Sequence, residues 1–249
     1  MIKWHLCVLS VALLFSCKIE DTPVAHPVSI QIPDTTHVIE LVPVSTESGT
    51  VFWMAKTELT WDVYDTFLQI VNSPENLYAE VDAITGPTPA YASVDRGFGR
   101  SGYPAISMSA QAADAFCIWL TKATGTNFTI PTLEQYEAAN AGGGTSWHQF
   151  NSEKTTHPVG TKEPNSLGIY DIEGNVGEWV MTEDGHRVVG GSFRDSDEVL
   201  GSKTMLTPIP EWNKTDPQLP RSPWWLADAD FVGLRLVIND HPSEKSSNK

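Results

Sequence analysis

The apolar pattern begins with a run from Leu6 to Phe15, interrupted at Ser10, preceded by Lys3 and His5 and closed by Ser16-Cys17. About ten apolar residues fall well short of the roughly twenty that span a bilayer, and a basic start with a small residue at the end is the layout of a secretory signal. From Val28 the pattern becomes alternation. Val28, Ile30 and Ile32, then Val38, Ile39 and Leu41, predict one or two strands across Val28–Val44, and Val51-Phe-Trp-Met-Ala55 predicts another. Thr60 caps a helix whose apolar positions are Val63, Tyr64, Phe67, Leu68 and Val71, ended by Pro74. A long segment rich in Gly and Pro follows from Ser73 to Pro104. Ser109 opens a second helix, with Ala113, Phe116, Cys117, Leu120 and Ala123 on one face and Gly125 at its end. Thr132-Leu-Glu-Gln135 has the capping-box spacing and starts a short third helix through Ala139. Beyond Gly142 the helical period is gone, and Val232 to Ile238 reads as a final strand. Helices early and irregular β-rich chain afterwards predict an α+β domain.

Leu14-Phe15-Ser16-Cys17 resembles a bacterial lipobox, because the cysteine falls where the apolar run stops. The division expected is a signal over residues 1–16, a polar tether over 17–28 carrying the lipid on Cys17, one domain over 29–239, and a polar tail over 240–249. An ordinary signal cleaved near Ser16, with Cys17 left as a thiol, is the alternative. The formal charge of −15 argues against nucleic acid and anionic lipid surfaces as partners, so contact with a membrane is expected only through the lipid anchor. Lys18-Ile-Glu-Asp21 is charged directly after the lipid site, which fits export to the cell envelope and sorting to the outer membrane. With Cys7 in the signal and Cys17 acylated, Cys117 has no disulfide partner and is expected as a buried thiol in its helix.

Three further runs stand in order in the second half: Asn165-Ser-Leu-Gly-Ile-Tyr-Asp-Ile-Glu-Gly-Asn-Val-Gly-Glu-Trp179, Gly190-Gly-Ser-Phe193 and Phe231-Val-Gly-Leu-Arg-Leu236. Earlier come Met54-Ala-Lys-Thr-Glu-Leu-Thr60, Tyr103-Pro-Ala-Ile-Ser107 and Ile130-Pro-Thr-Leu-Glu-Gln-Tyr-Glu-Ala-Ala139. Taken together the set resembles the formylglycine-generating enzyme, or sulfatase-modifying factor, family. The resemblance implies a C-type-lectin-like fold with little regular secondary structure, two to three short helices and a twisted antiparallel sheet.

It also implies structural calcium at the Asn165–Trp179 run, with carboxylates from Asp171 and Glu178 and carbonyls from Gly174 and Val176. Calcium takes six to eight oxygen ligands of these kinds. Read without the resemblance, the same residues form a turn in which Asp171 and Glu178 cap backbone amides. The family's second calcium site is not expected, since Gly142–Pro158 is short and poor in acids. The family's copper cysteines would fall near Asp195 and Leu200, which cannot replace a soft thiolate pair. The Trp usual before Glu-Trp is Gly177, and Ser202-Lys-Thr-Met-Leu206 stands where arginines are usual. Copper is therefore not expected. Nor is iron, because the seven histidines are scattered without helical ligand spacing.

Ser222-Pro-Trp-Trp-Leu-Ala-Asp-Ala-Asp-Phe231 has two readings, a core beneath the final strand or the wall of a pocket. In the second, Ser192, Asp195, Trp224 and Trp225 line a groove, although Ser192 has no positioned base and reads as structural. The functional expectation is a binding module for a protein, peptide or glycan partner in the envelope. The alternatives are an enzyme using other chemistry in the same groove, with Asp195 as the proton-transfer group, and a structural part of an envelope assembly.

Overall fold

The computed structural model describes residues 25–71, 93–217 and 219–242. The signal, Cys17 and Pro74 lie outside them, as do most of the segment expected as a long loop and most of the polar tail.

Among the described residues, nine strands and three α-helices make the α+β fold expected: β1 (Val28–Gln31), β2 (Val38–Ser45), β3 (Val51–Ala55), α1 (Trp61–Val71), α2 (Ala110–Thr124), β4 (Phe128–Thr129), α3 (Leu133–Ala139), β5 (Gly177–Thr182), β6 (Gly185–Gly190), β7 (Gly201–Leu206), β8 (Val232–Gly233) and β9 (Val237–Ile238). They form two sheets, ordered β1-β2-β3-β9-β4 and β7-β6-β5-β8. Every pairing is antiparallel except β5 with β8.

The helix boundaries follow their capping residues. Ser109 accepts the Ala112 N–H at 3.1 Å, and Gly125, at φ 71°, closes α2 in the left-handed conformation. At α3 the capping box is complete: Thr132 Oγ1 accepts the Gln135 N–H at 3.2 Å, and Gln135 Oε1 accepts the Thr132 N–H at 2.9 Å. Gln135 Nε2 also donates to Asn239 Oδ1 at 2.7 Å, tying α3 to the chain after β9.

The first sheet is buried on both faces, and the alternation in its strands decides which residue goes where. Leu41, Trp53 and Ala55 join α1, α2 and Trp225 in one apolar cluster, while Val42, Val44, Phe52 and Met54 join Tyr136, Ile169 and Val180 in another. The strand expected over Val232–Ile238 is two short strands in different sheets. The chain pairs with β5 at Val232–Gly233, leaves that sheet, and rejoins the other beside β3 at Val237. Across the gap the Leu59 N–H donates to Leu234 O at 2.7 Å and the Ala55 N–H to Leu236 O at 2.9 Å. Arg235 sits at the crossing, fully buried.

Candidate functional site

Arg235 is the centre of a buried charged node that joins the two sheets. Its Nε lies 2.9 and 3.1 Å from the two oxygens of Glu178, and its Nη2 lies 2.7 Å from Glu178 Oε1. The remaining donors go to main-chain carbonyls: Nη1 to Ala55 at 3.1 Å, and Nη2 to Tyr170 at 2.8 Å and Asp171 at 3.2 Å. The planar guanidinium suits this role, since one group meets a carboxylate and several carbonyls together.

Glu58 completes the node from the segment after β3. It accepts Asn175 Nδ2 at 2.7 Å and the Val176 N–H at 3.0 Å. Asn175 Oδ1 in turn accepts the His157 N–H at 2.9 Å. The turn carrying these groups is held tightly. Asp171 and Asn175 adopt φ of 51° and 49°, and a Cβ at Gly174 (φ 80°) would fall 2.3 Å from Trp147 O. Trp147 lies between His157, stacked at 3.7 Å, and Lys162, whose Nζ is 4.2 Å from the ring centroid.

Three buried carboxylates around one guanidinium would carry excess negative charge if all were ionised. Burial pushes Glu58 well above the ordinary carboxylate range, with Asp171 and Glu178 adding to the effect and Arg235 opposing it. Burial likewise raises Glu178 against the pull of Arg235, and raises Asp171 against its bond from the Gly160 N–H.

Of the residues named for calcium, Asp171 offers an oxygen suited to a hard cation. Its Oδ2 accepts the Gly160 N–H at 2.7 Å, while Oδ1 is buried without a hydrogen-bond partner. Glu178 is engaged by Arg235, but carboxylate oxygens have lone pairs beyond those bonds. If calcium binds this turn, Asp171 would be the carboxylate with an uncommitted oxygen to hold it, since both Glu178 oxygens already meet Arg235. Of the amide-capping reading, Asp171 does cap an N–H, whereas Glu178 meets Arg235. Sequence reasoning assigned no role to Glu58 or Arg235, although both stand inside runs that carry the resemblance.

Of the four residues named for a groove, Ser192, Trp224 and Trp225 are buried. Trp225 is buried against Trp61 (ring centroids 6.2 Å apart) and Tyr64 (5.9 Å), and Trp224 is buried beside it in sequence. Both side chains are part of the larger apolar cluster. Burying each such ring stabilises by roughly 4–6 kcal/mol before entropy is counted. Ser192 is buried too; its Oγ donates to Asp195 Oδ2 at 2.7 Å and accepts the Arg194 N–H at 3.3 Å. This is a local turn bond, which gives Ser192 a structural role.

Asp195 faces a cavity of about 30 Å³ shared with Gly177, Val188, Val199, Leu206 and Phe231. At Gly177 a Cβ would meet Val188 Cγ1 at 2.7 Å, so the indole usual in the family has no space there. Leu200 is buried apolar chain, and the nearest thing to a soft ligand, Cys117, is buried in α2 with its thiol pushed up by burial. The donors at these positions do not fit copper.

The fold and node together define a class: a low-regularity α+β domain whose two sheets are joined through a buried arginine. The chain belongs to the sulfatase-modifying factor enzyme 1-like domain family, whose model matches residues 25–239. Solved structures agree in fold. Treponema denticola variable protein 1 superposes with a TM-score of 0.60 at 17% identity, over 88% of this chain and 100% of its own. PvdO from Pseudomonas aeruginosa gives 0.54 at 17% identity over 85% and 90%, and CarF gives 0.52 at 17% over 82% and 99%. Among curated proteins none matches the sequence.

Proposed function

We propose that this member of the family is a binding module of the bacterial cell envelope, exported and anchored through lipid on Cys17, that has dispensed with copper-dependent cysteine oxidation. One observation carries the reading: where the family's resemblance places a thiolate pair and an indole, this chain has Asp195, Leu200 and a Gly177 closed in by Val188. Thiolates select Cu(I), and neither a carboxylate nor an alkyl group replaces them. The domain that remains is rigid around the buried node and presents its surface loops to a peptide, glycan or envelope partner. In this reading a calcium ion held through Asp171 and Glu178, with the Gly174 and Val176 carbonyls, stabilises the domain.

The test is metal content and turnover measured together on the purified chain. Bound Ca, Cu and Fe are quantified, and a sulfatase-type cysteine peptide is assayed with added Cu(I). Calcium with no oxidised peptide supports the reading. Stoichiometric copper with formylglycine product overturns it.

A further inference from the structure

Resting on the binding-module reading, we infer that a wedge between β2 and the chain leaving β3 takes up a short extended peptide through main-chain hydrogen bonds. The wedge follows from where the chain's own bonds go. β2 and β3 are paired from Ser45↔Val51 to Leu41↔Ala55, and one further rung joins the Lys56 N–H to Glu40 O at 2.9 Å. After it the chain is drawn off β2: Lys56 O accepts the Tyr170 N–H at 2.8 Å, and the Leu59 N–H donates to Leu234 O at 2.7 Å. β2 meanwhile runs on to Val38, which is paired with Gln31 of β1 on its other side. Between the two lies a cavity of about 320 Å³, whose lining includes Val38, Glu40, Thr57, Glu58, Val63 and Leu236. That volume is within the roughly 300–1,000 Å³ usual for small-ligand sites.

Both walls carry main-chain groups without partners. In an antiparallel strand, alternate residues turn their N–H and C=O toward the same neighbour. The bond from Lys56 to Glu40 O therefore fixes the direction of Val38 as well, and its N–H and C=O face the wedge. Opposite, the N–H and C=O of Thr57 and Glu58 have no hydrogen-bond partner among the described residues. Exposure does not account for this, because Glu58 is 2% exposed and Leu59 beside it 5%. Buried main-chain groups are nearly always paired, so a stretch of unpaired ones lining a cavity points to what enters it.

These groups select the ligand. An ion of either sign would satisfy donors or acceptors but not both, and an apolar molecule would satisfy neither. An extended peptide carries both, at the rise of about 3.3 Å per residue that β2 presents. Three residues, about 10 Å of strand, would continue the line where β3 stops. On the buried side of the lining stand Ile39, Val63 and Leu236, which suit an apolar residue facing inward. On the exposed side Lys56 and Glu40 pair with each other at 3.0 Å and so ask for no charged partner.

The experiment exposes the immobilised full chain to a pool of acetylated, amidated tetrapeptides of Ala, Val and Thr, with the same pool N-methylated and with maltotriose alongside. Any member retained is then titrated by calorimetry and by amide hydrogen exchange. Capped ends remove the terminal charges, and N-methylation removes the donors while keeping the side chains. Saturable binding of the unmethylated peptides is expected, weakened about fivefold or more by methylation, as one lost hydrogen bond predicts. The Val38, Thr57 and Glu58 amides should exchange severalfold more slowly at saturation. Val38→Pro deletes one donor on the wedge side of β2 and should weaken binding by about fivefold too. Should that variant misfold, the methylated pool on the parent chain still decides. Binding indifferent to methylation, protection confined to other amides, maltotriose retained in place of peptide, or no saturable binding overturns the inference. Formylglycine product from a sulfatase-type peptide would sink the binding-module reading itself, whereas absent peptide uptake without oxidation removes only this site.

Discussion

Replacing Arg235 with Met tests the buried node most directly. The substitution keeps an unbranched apolar stem and removes the guanidinium, which is fully buried and bonded to Glu178 and to the Ala55, Tyr170 and Asp171 carbonyls. Breaking a buried ion pair by deleting one partner costs about 3–5 kcal/mol. Each carbonyl left without a donor adds roughly 1 kcal/mol or more. Glu58 and Asp171 also lose the positive charge that opposes their burial. Partial relaxation offsets some of this, so the net loss should be about 5 kcal/mol, comparable with the whole stability of a marginal domain at about 5–15 kcal/mol. Urea unfolding followed by tryptophan fluorescence reads it as a midpoint lowered by about 2 M, if m is near 2.5 kcal/mol/M. Arg235→Lys, which keeps the charge but not the fork, should lose about 2–3 kcal/mol. The double variant Arg235→Met with Glu178→Met should be more stable than the sum of the singles by at least about 2 kcal/mol. A loss below about 1 kcal/mol for Arg235→Met, or strict additivity in the cycle, would refute the account.

The other predictions concern the turn, the cap and the carboxylates. Gly174→Ala should cost about 3 kcal/mol in urea unfolding, since its Cβ would strike Trp147 O in a left-handed conformation. Thr132→Ala removes the N-cap of α3 and should cost about 1 kcal/mol by the same measurement. Glu58 is raised above 4.5 in the folded state, so the folded chain holds a proton that the unfolded chain releases, and this group's contribution to stability falls as pH rises from 4.5 toward the raised value. Glu58→Gln removes that dependence. Its stability relative to the parent should climb across this window in parallel urea titrations, and a difference that is flat with pH would contradict the direction. Calcium at millimolar concentration should raise the thermal midpoint of the parent and leave Asp171→Ala unmoved, as read by scanning calorimetry.

Local rules made the helices legible. Ser109, Gly125 and the Thr132–Gln135 box act within one turn of chain, so sequence alone placed them where the structure has them. The β1 and β2 alternation and the apolar β3 run were equally readable, apart from Val38 and Val51, which are exposed. The final strand was not. In Val232-Gly-Leu-Arg-Leu-Val-Ile238 a single arginine at an alternating position reads as an outward residue of one continuous strand. Its burial depends on the chain leaving one sheet for the other, and on partners up to 180 residues away. Glu58 escaped notice for the same reason: its partners, Asn175 and Val176, are 117 and 118 residues distant. At the site, the chemistry of missing cysteines was plain from composition. The tight fit at Gly177 was not, because Val188 reaches it only once β5 and β6 are paired.

The crossing at Arg235 also governs when this chain can finish folding. β1, β2, β3 and α1 are complete within the first 71 residues, but the strand that flanks β3 and the guanidinium that binds Glu178 arrive only with residues 235–238. During synthesis, at about 5–20 residues per second, the early sheet waits several seconds or more with one edge open and Glu178 unneutralised. Closing contacts this distant in sequence is slow, and an open edge invites pairing with another chain. The late-arriving arginine thus makes nascent chains the vulnerable population.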